Sequence, residues 1–191
     1  MSLTKWSLDP AHSEITFKVK HLMISTVTGS FKKFNLEAAT QTDDFNTAKK
    51  IEFTADINSI DTNNEQRDAH LKSADFFNVE KFPELKFSGT KYEVNGDEGK
   101  LQGDLTIAGI TKPITLNVEF GGIVVDPYGQ IKSGFTVTGK ISRKEFGLTW
   151  SAVTEAGNVV AGDEIKINAE IQLVKVVKEV VKEEEELAEQ A

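Results

Sequence analysis

Arg67-Asp68-Ala69-His70 gathers a guanidinium, a carboxylate and an imidazole in one short run of a chain that has only 3 histidines. Such a set suits acid–base chemistry. Arg can hold an Asp ionised, Asp can orient an imidazole, and His exchanges a proton near neutral pH. The residues just before it argue for a different role. Thr62-Asn63-Asn64-Glu65 fits a capping box, in which a hydroxyl and a carboxylate satisfy the free amides at a helix start. A short helix over 63–72 is therefore predicted, with Ser73 capping a further turn through Asp75-Phe76-Phe77. On that helix Arg67 and His70 share a face and Asp68 points elsewhere. The favoured reading is a helix whose polar side chains tie it to its surroundings. An acid–base set of Arg67, Asp68 and His70 is the alternative.

Other chemistries find little support. His12 and His21 bound one predicted strand, and a strand of that length spans about 30 Å, too far for a shared metal. The absence of Cys removes disulfides, thiol nucleophiles and thiolate metal sites. No Gly-x-Ser-x-Gly elbow and no glycine-rich loop before a helix occurs. No metal and no cofactor is expected. The net charge of −8, from 30 acidic against 22 basic residues, disfavours nucleic acid and electrostatic attraction to anionic lipid.

The elements that would carry these residues have a period of two. Over 14–21, Ile15, Phe17 and Val19 alternate with Glu14, Thr16, Lys18 and Lys20, as in a strand with one buried face. The same alternation recurs at 50–58, 101–107, 114–120, 131–141 and 163–173, with weaker strands at 4–8, 29–38 and 84–94. Turns are predicted at 95–97, 108–113 and 121–122. Such short links favour antiparallel neighbours, and strands apolar on one face must close into a barrel or pair as a sandwich. One domain over 1–175 is expected. After it, Val176, Val177, Val180, Val181 and Leu187, with Glu183–Glu186, predict an amphipathic acidic helix over 176–191.

Phenylalanine is over-represented, 12 residues against 2 Tyr and 2 Trp. The inward strand positions include Phe17, Val19, Phe31, Phe53, Ile57, Phe87, Leu105, Ile107, Leu116, Val118, Phe135, Val137, Ile165, Ile167 and Ile171, with Phe76 and Phe77 on the helix-turn segment. Periodicity fits a barrel packed solid with these side chains as well as one holding an apolar ligand.

The order of several short motifs narrows the choice. Asp9-Pro10-Ala11-His12-Ser13 opens the first long strand, His21 closes it, and Thr28-Gly29-Ser30-Phe31 follows. Residues 59–71, SIDTNNEQRDAHL, lead to Asp75-Phe76-Phe77 and Phe82-Pro83. LTIAGITKP at 105–113 and ISRKEFGL at 141–148 complete the set. Over roughly residues 6–175 the chain resembles the YceI-like, or polyisoprenoid-binding, family.

That resemblance implies an all-β chain: one antiparallel lipocalin-like barrel of about eight strands, extended around a long apolar channel, with a short helical insertion and a C-terminal helix. It implies a non-catalytic carrier of a long-chain isoprenoid, such as a polyprenyl diphosphate or an isoprenoid quinone, or of another amphiphilic lipid. The inward positions named above then become channel lining. Lys20, His21, Arg67, His70 and Arg143 become headgroup candidates at the mouth, Arg being best suited to a diphosphate. A homodimer is expected. Many members are periplasmic, whereas the N-terminus as written, MSLTKWSLDP, has no apolar leader and no stretch long enough to span a membrane. The expectation is cytoplasmic as written, and periplasmic if a signal peptide has been removed. Two alternatives stand beside the carrier. One is a filled barrel acting as an interaction module, the other an enzyme acting on an isoprenoid through Asp68 and His70.

Overall fold

The computed structural model describes residues 2–157 and 159–177. Within them run β1 (Thr4–Leu8), β2 (Glu14–His21), β3 (Ser25–Phe31), β4 (Phe34–Thr40), β5 (Ala48–Asp56) and β6 (Ile60–Asp61). After these come α1 (Glu65–Lys72), β7 (Glu84–Asn95), β8 (Glu98–Ile107), β9 (Ile110–Val125), β10 (Ile131–Ser142) and β11 (Ala161–Lys175).

Every strand pairing is antiparallel, and β1-β4-β5-β7-β8-β9-β10-β11 closes on itself where β1 meets β11. The ring is a closed eight-stranded, lipocalin-like barrel. The long β11 serves two neighbours. Its last residues pair with β1 (Leu8↔Leu173), and its first part pairs with β2 (Phe17↔Ile167). Strands β2, β3 and β6 thereby extend the wall beyond the ring at one end, and α1 follows directly from β6.

Alternation drives this closure, because each strand has one apolar face to bury. The expected strands are present, and their ends differ where local chemistry intervenes. The expected strand over 29–38 is two strands, broken at Lys32-Lys33, whose amides donate to Ser59 O at 3.1 Å and Ser59 Oγ at 2.9 Å. The strand over 50–58 stops at Asp56, whose carboxylate accepts from Asn58 N at 2.9 Å and winds Ile57–Ser59 into a 3₁₀ turn. The turn expected over 108–113 needs only Ala108 and Gly109, both left-handed (φ 49° and 76°), so Pro113 lies within β9 opposite Asp104. Gly121-Gly122 is not a turn. Gly134 pairs with Gly122 and Phe135 with Phe120, leaving Gly121 as an extra residue in a bulge that bends β9.

The interior has two parts. At the end where β1 closes the ring, the turn Phe45–Thr47 drives Phe45 into the barrel. There it meets Trp6 (4.7 Å between centroids), Phe135 (4.8 Å) and Phe120 (6.1 Å) and plugs that end. Trp6 is 1% exposed and donates from Nε1 to Thr40 Oγ1 at 3.0 Å. The other part is built on Phe31, Phe53, Phe87, Leu105, Ile107 and Leu116. Of the helix expected over 176–191, Val176 and Val177 are irregular and the remainder lies outside the described residues.

Candidate functional site

Beyond the aromatic plug the barrel encloses a cavity of about 360 Å³, within the usual size of small-molecule sites, about 300–1,000 Å³. Its wall is almost wholly hydrocarbon. Phe17, Val19, Phe31, Phe53, Phe87, Leu105, Ile107, Leu116, Val137, Ile165, Ile167 and Ile171 line it, and Phe76 and Phe77 reach it from the segment after α1. Three residues expected in the channel do not line it. Phe135 is taken into the plug by Phe45. Ile57, 0% exposed, is locked in the 3₁₀ turn, and Val118, 3% exposed, is packed inside the main core.

Small residues keep the lumen open. Phe17 faces Gly29 across the β2–β3 ladder, and a Cβ on Gly29 would lie 2.2 Å from the Phe17 ring. A Cβ on Gly103 would lie 2.4 Å from the Phe87 ring, and one on Gly139 would lie 2.5 Å from Leu116. Each large side chain lies along the wall over a glycine.

The polar residues on the cavity collect toward the extended end, where Lys20 and His21 are exposed. The helical insertion is organised by Thr62, which is 3% exposed. Thr62 Oγ1 donates to Asp68 Oδ1 at 2.5 Å and accepts from Arg67 Nε at 2.8 Å. Arg67 Nη2 also donates to Thr62 O at 2.6 Å, and Thr62 N donates to Asp68 Oδ1 at 2.9 Å. Thr62 is thus the clamp between β6 and α1, and the helix cap is Asn64, whose side chain accepts from Arg67 N at 2.9 Å. The expected Thr62–Glu65 capping box does not form, because Asp68 claims the hydroxyl.

His70 takes no part in that cluster. Its Nε2 lies 3.0 Å from Asp75 Oδ2, and its ring stands edge-on to Trp150 (4.8 Å, 90°) and Phe76 (5.1 Å, 83°). Phe76 and Trp150 are 5.3 Å apart, so the three rings form an aromatic rim on the cavity. Arg143 also borders the cavity, but it is 3% exposed. It donates to the carbonyls of Gly162 (2.8 Å), Leu148 (2.6 Å), Trp150 (2.8 Å) and Ala161 (3.2 Å). Burial pushes its pKa below the ordinary arginine value, with nearby Asp163 opposing. It staples the chain after β10 to the start of β11. Among the described residues no cluster of His, Asp and Glu is arranged to hold a metal.

The YceI-like domain model matches residues 6–173. The chain belongs to the YceI-like domain family. A UPF0312 protein of Staphylococcus aureus (strain USA300) is 42% identical over 170 residues, covering 87% of this chain and 95% of the relative. The crystal structure of a Campylobacter jejuni YceI protein is 37% identical, with a TM-score of 0.70 over 90% of this chain and 97% of that one. A polyisoprenoid binding domain from Saccharophagus degradans shares the fold at 15% identity, with a TM-score of 0.63 over 90% of this chain and 98% of that one.

In this YceI-like domain the cavity also uses residues that alternation did not single out. Trp150, Leu148 and Val160 sit on or beside irregular chain between β10 and β11, where no period marks them. Leu71 lies on the opposite end of α1 from its cap and was masked by the polar run around it. Leu36 is in phase with Phe34 on β4, a strand hidden by the break at Lys32-Lys33.

Proposed function

We propose that this YceI-like domain is a non-catalytic carrier that holds a long-chain isoprenoid lipid inside its barrel. The observation that carries the reading is the cavity itself, a hydrocarbon-lined lumen shut by aromatic rings at one end and bordered by cationic and imidazole side chains at the other. An extended apolar chain is favoured there by area burial, at about 25 cal/mol per Å² removed from water. The likeness to a polyisoprenoid binding domain supports an isoprenoid as that chain.

The headgroup would sit beside Lys20, His21, Arg67 and His70. Arg67 spends Nε and Nη2 on Thr62, and its Nη1 has no partner among the described residues. That nitrogen is suited to a diphosphate oxygen. Arg143 is left out, because its donors are committed to four carbonyls. Asp68 is bound by Thr62, and the carboxylate beside His70 is that of Asp75, so the Asp68–His70 pair on which the enzyme alternative rests does not form. This favours carriage over catalysis.

The test is displacement of an environment-sensitive long-chain fluorophore by a polyprenyl alcohol and by the matching diphosphate. Uptake of both, blocked by Ile167→Trp in the lumen wall and weakened for the diphosphate alone by Arg67→Gln, is the expected result. Equal binding to the folded Ile167→Trp variant would place the lipid somewhere other than the cavity.

A further inference from the structure

At the extended end, β2 and β3 are joined by Leu22, Met23 and Ile24. Ile24 N donates to His21 O at 3.1 Å, and both Leu22 and Met23 adopt left-handed backbone, with φ of 51° and 60°. Two consecutive positive φ values mark a turn that normally takes Asn or Gly. Here Leu22 and Met23 hold that strained conformation; Leu22 stays half-buried, whereas Met23 and the next residue, Ile24, point outward. Met23 is 61% exposed and Ile24 83% exposed. Leu22 N donates to Val160 O at 2.9 Å, tying this tip to the chain before β11, where Val153 is 63% exposed. Both segments adjoin the cavity, since His21 and Val160 line it.

Below the tip, β2 carries exposed Lys18 and Lys20. Lys18 is opposite Lys166, and Lys166 is opposite Lys140, a row of like charge across three strands. Among the described residues Lys140 alone of the row is paired, with Glu164 at 3.9 Å. Like charges placed directly opposite one another cost stability. They are accompanied here by strained apolar residues that also cost stability, in a chain whose overall charge is −8.

We propose that the mouth end docks on a lipid bilayer carrying anionic headgroups, with Met23 and Ile24 entering the acyl boundary and Lys18, Lys20 and Lys166 meeting the headgroups. The overall negative charge and exposed Glu155 oppose approach, so insertion of the apolar tip supplies most of the attraction and the lysine row the preference for anionic lipid. The occupant is a bilayer because the apolar tip, the lysine row and the hydrocarbon cavity meet at one end, so a docked barrel opens onto membrane lipid. This rests on the carrier reading for its purpose and on the tip and the lysine row for its physics.

The test is co-sedimentation of the whole chain with phosphatidylcholine vesicles containing phosphatidylglycerol and with pure phosphatidylcholine vesicles. Binding to the first, weaker binding to the second, and a drop of about tenfold or more in Met23→Ser/Ile24→Ser support the proposal. Lys18→Glu/Lys166→Glu should abolish the preference between the two vesicles. Leu22→Asn/Met23→Gly should melt no lower than the native chain, since it relieves backbone strain, and yet bind vesicles less well. Both tip variants should still take up a polyprenyl alcohol delivered from detergent. Failure of that uptake in the native chain, with vesicle binding intact, would count against the carrier reading alone. No sedimentation of the native chain, undiminished binding by the tip variants, or a dimer lost in Met23→Ser/Ile24→Ser without vesicle binding would overturn the docking proposal.

Discussion

Phe17 lies over Gly29. The two are paired across β2 and β3, and a single added methyl on Gly29 would come within 2.2 Å of the Phe17 ring tip. The glycine lets an aromatic ring rest on the barrel wall where it would otherwise project into the lumen. With Phe87 over Gly103 and Leu116 over Gly139, this pair helps keep the lumen open, which the alternation of apolar residues leaves undecided.

Gly29→Ala is therefore expected to close part of the cavity. The ring can swing, since it belongs to a side chain and not to the backbone, so the loss of stability should be modest, within about 1–3 kcal/mol for overpacking. Affinity for a long-chain lipid should fall by about tenfold or more, because the displaced ring occupies ligand space. Thermal melts alongside lipid titration check both halves. A large loss of stability with unchanged affinity would mean that the ring moved outward.

Trp150 should report occupancy. It is half-buried on the rim, in ring contact with His70 and Phe76, whereas Trp6 is buried in the plug. Tryptophan emission is expected to change when lipid enters, and Trp150→Phe should abolish the change while leaving the Trp6 signal in place. A change that survives Trp150→Phe would put the moving contact near the plug.

Thr62→Val should loosen the insertion. It removes a buried hydroxyl that serves Asp68 and Arg67 together, leaving both to find other partners. A loss of about 1–3 kcal/mol is expected in denaturant unfolding, with hydrogen exchange rising along α1. Val in place of Thr keeps the volume, so a smaller effect would mean that water replaces the hydroxyl.

Acid should weaken the barrel through Asp9. Burial alone would raise its carboxyl, but hydrogen bonds from His12 and Lys132, and the Lys132 charge, hold it at about 2. Lys132 Nζ is 3.0 Å away and also reaches Asp126 at 3.4 Å. Because the folded value is depressed, this contribution is fully present above the ordinary aspartate value of 3.8 and is lost as pH falls toward about 2. Melting temperature should fall on acidification below about pH 4. Lys132→Met should lower it at neutral pH and flatten that acid limb. An acid limb of unchanged steepness in the variant would assign the loss to other carboxylates.

Much of the fold was legible because half-buried strands print their geometry directly on the sequence. β1 and β2 coincide with the expected 4–8 and 14–21, since Trp6, Phe17 and their neighbours alternate cleanly up to polar ends. The misplaced boundaries share a cause. Asp56, Gly122 and the Ala108-Gly109 pair act through local hydrogen bonds or left-handed backbone, which hydropathy does not register. The cavity wall followed from phase, but its floor did not, because Phe45 enters from a loop and carries Phe135 out of the lumen into the plug. Arg143 was placed at the mouth by its charge alone. Its backbone partners lie on residues 148–162, and nothing at position 143 announces them.

The central claim is an occupied apolar lumen, and native mass spectrometry of the purified chain with organic extraction tests it most directly. A long-chain isoprenoid bound one to one, lost in the folded Ile167→Trp variant, is the predicted result. A chain that carries no lipid and also takes up no added polyprenyl alcohol or diphosphate would contradict the carrier account.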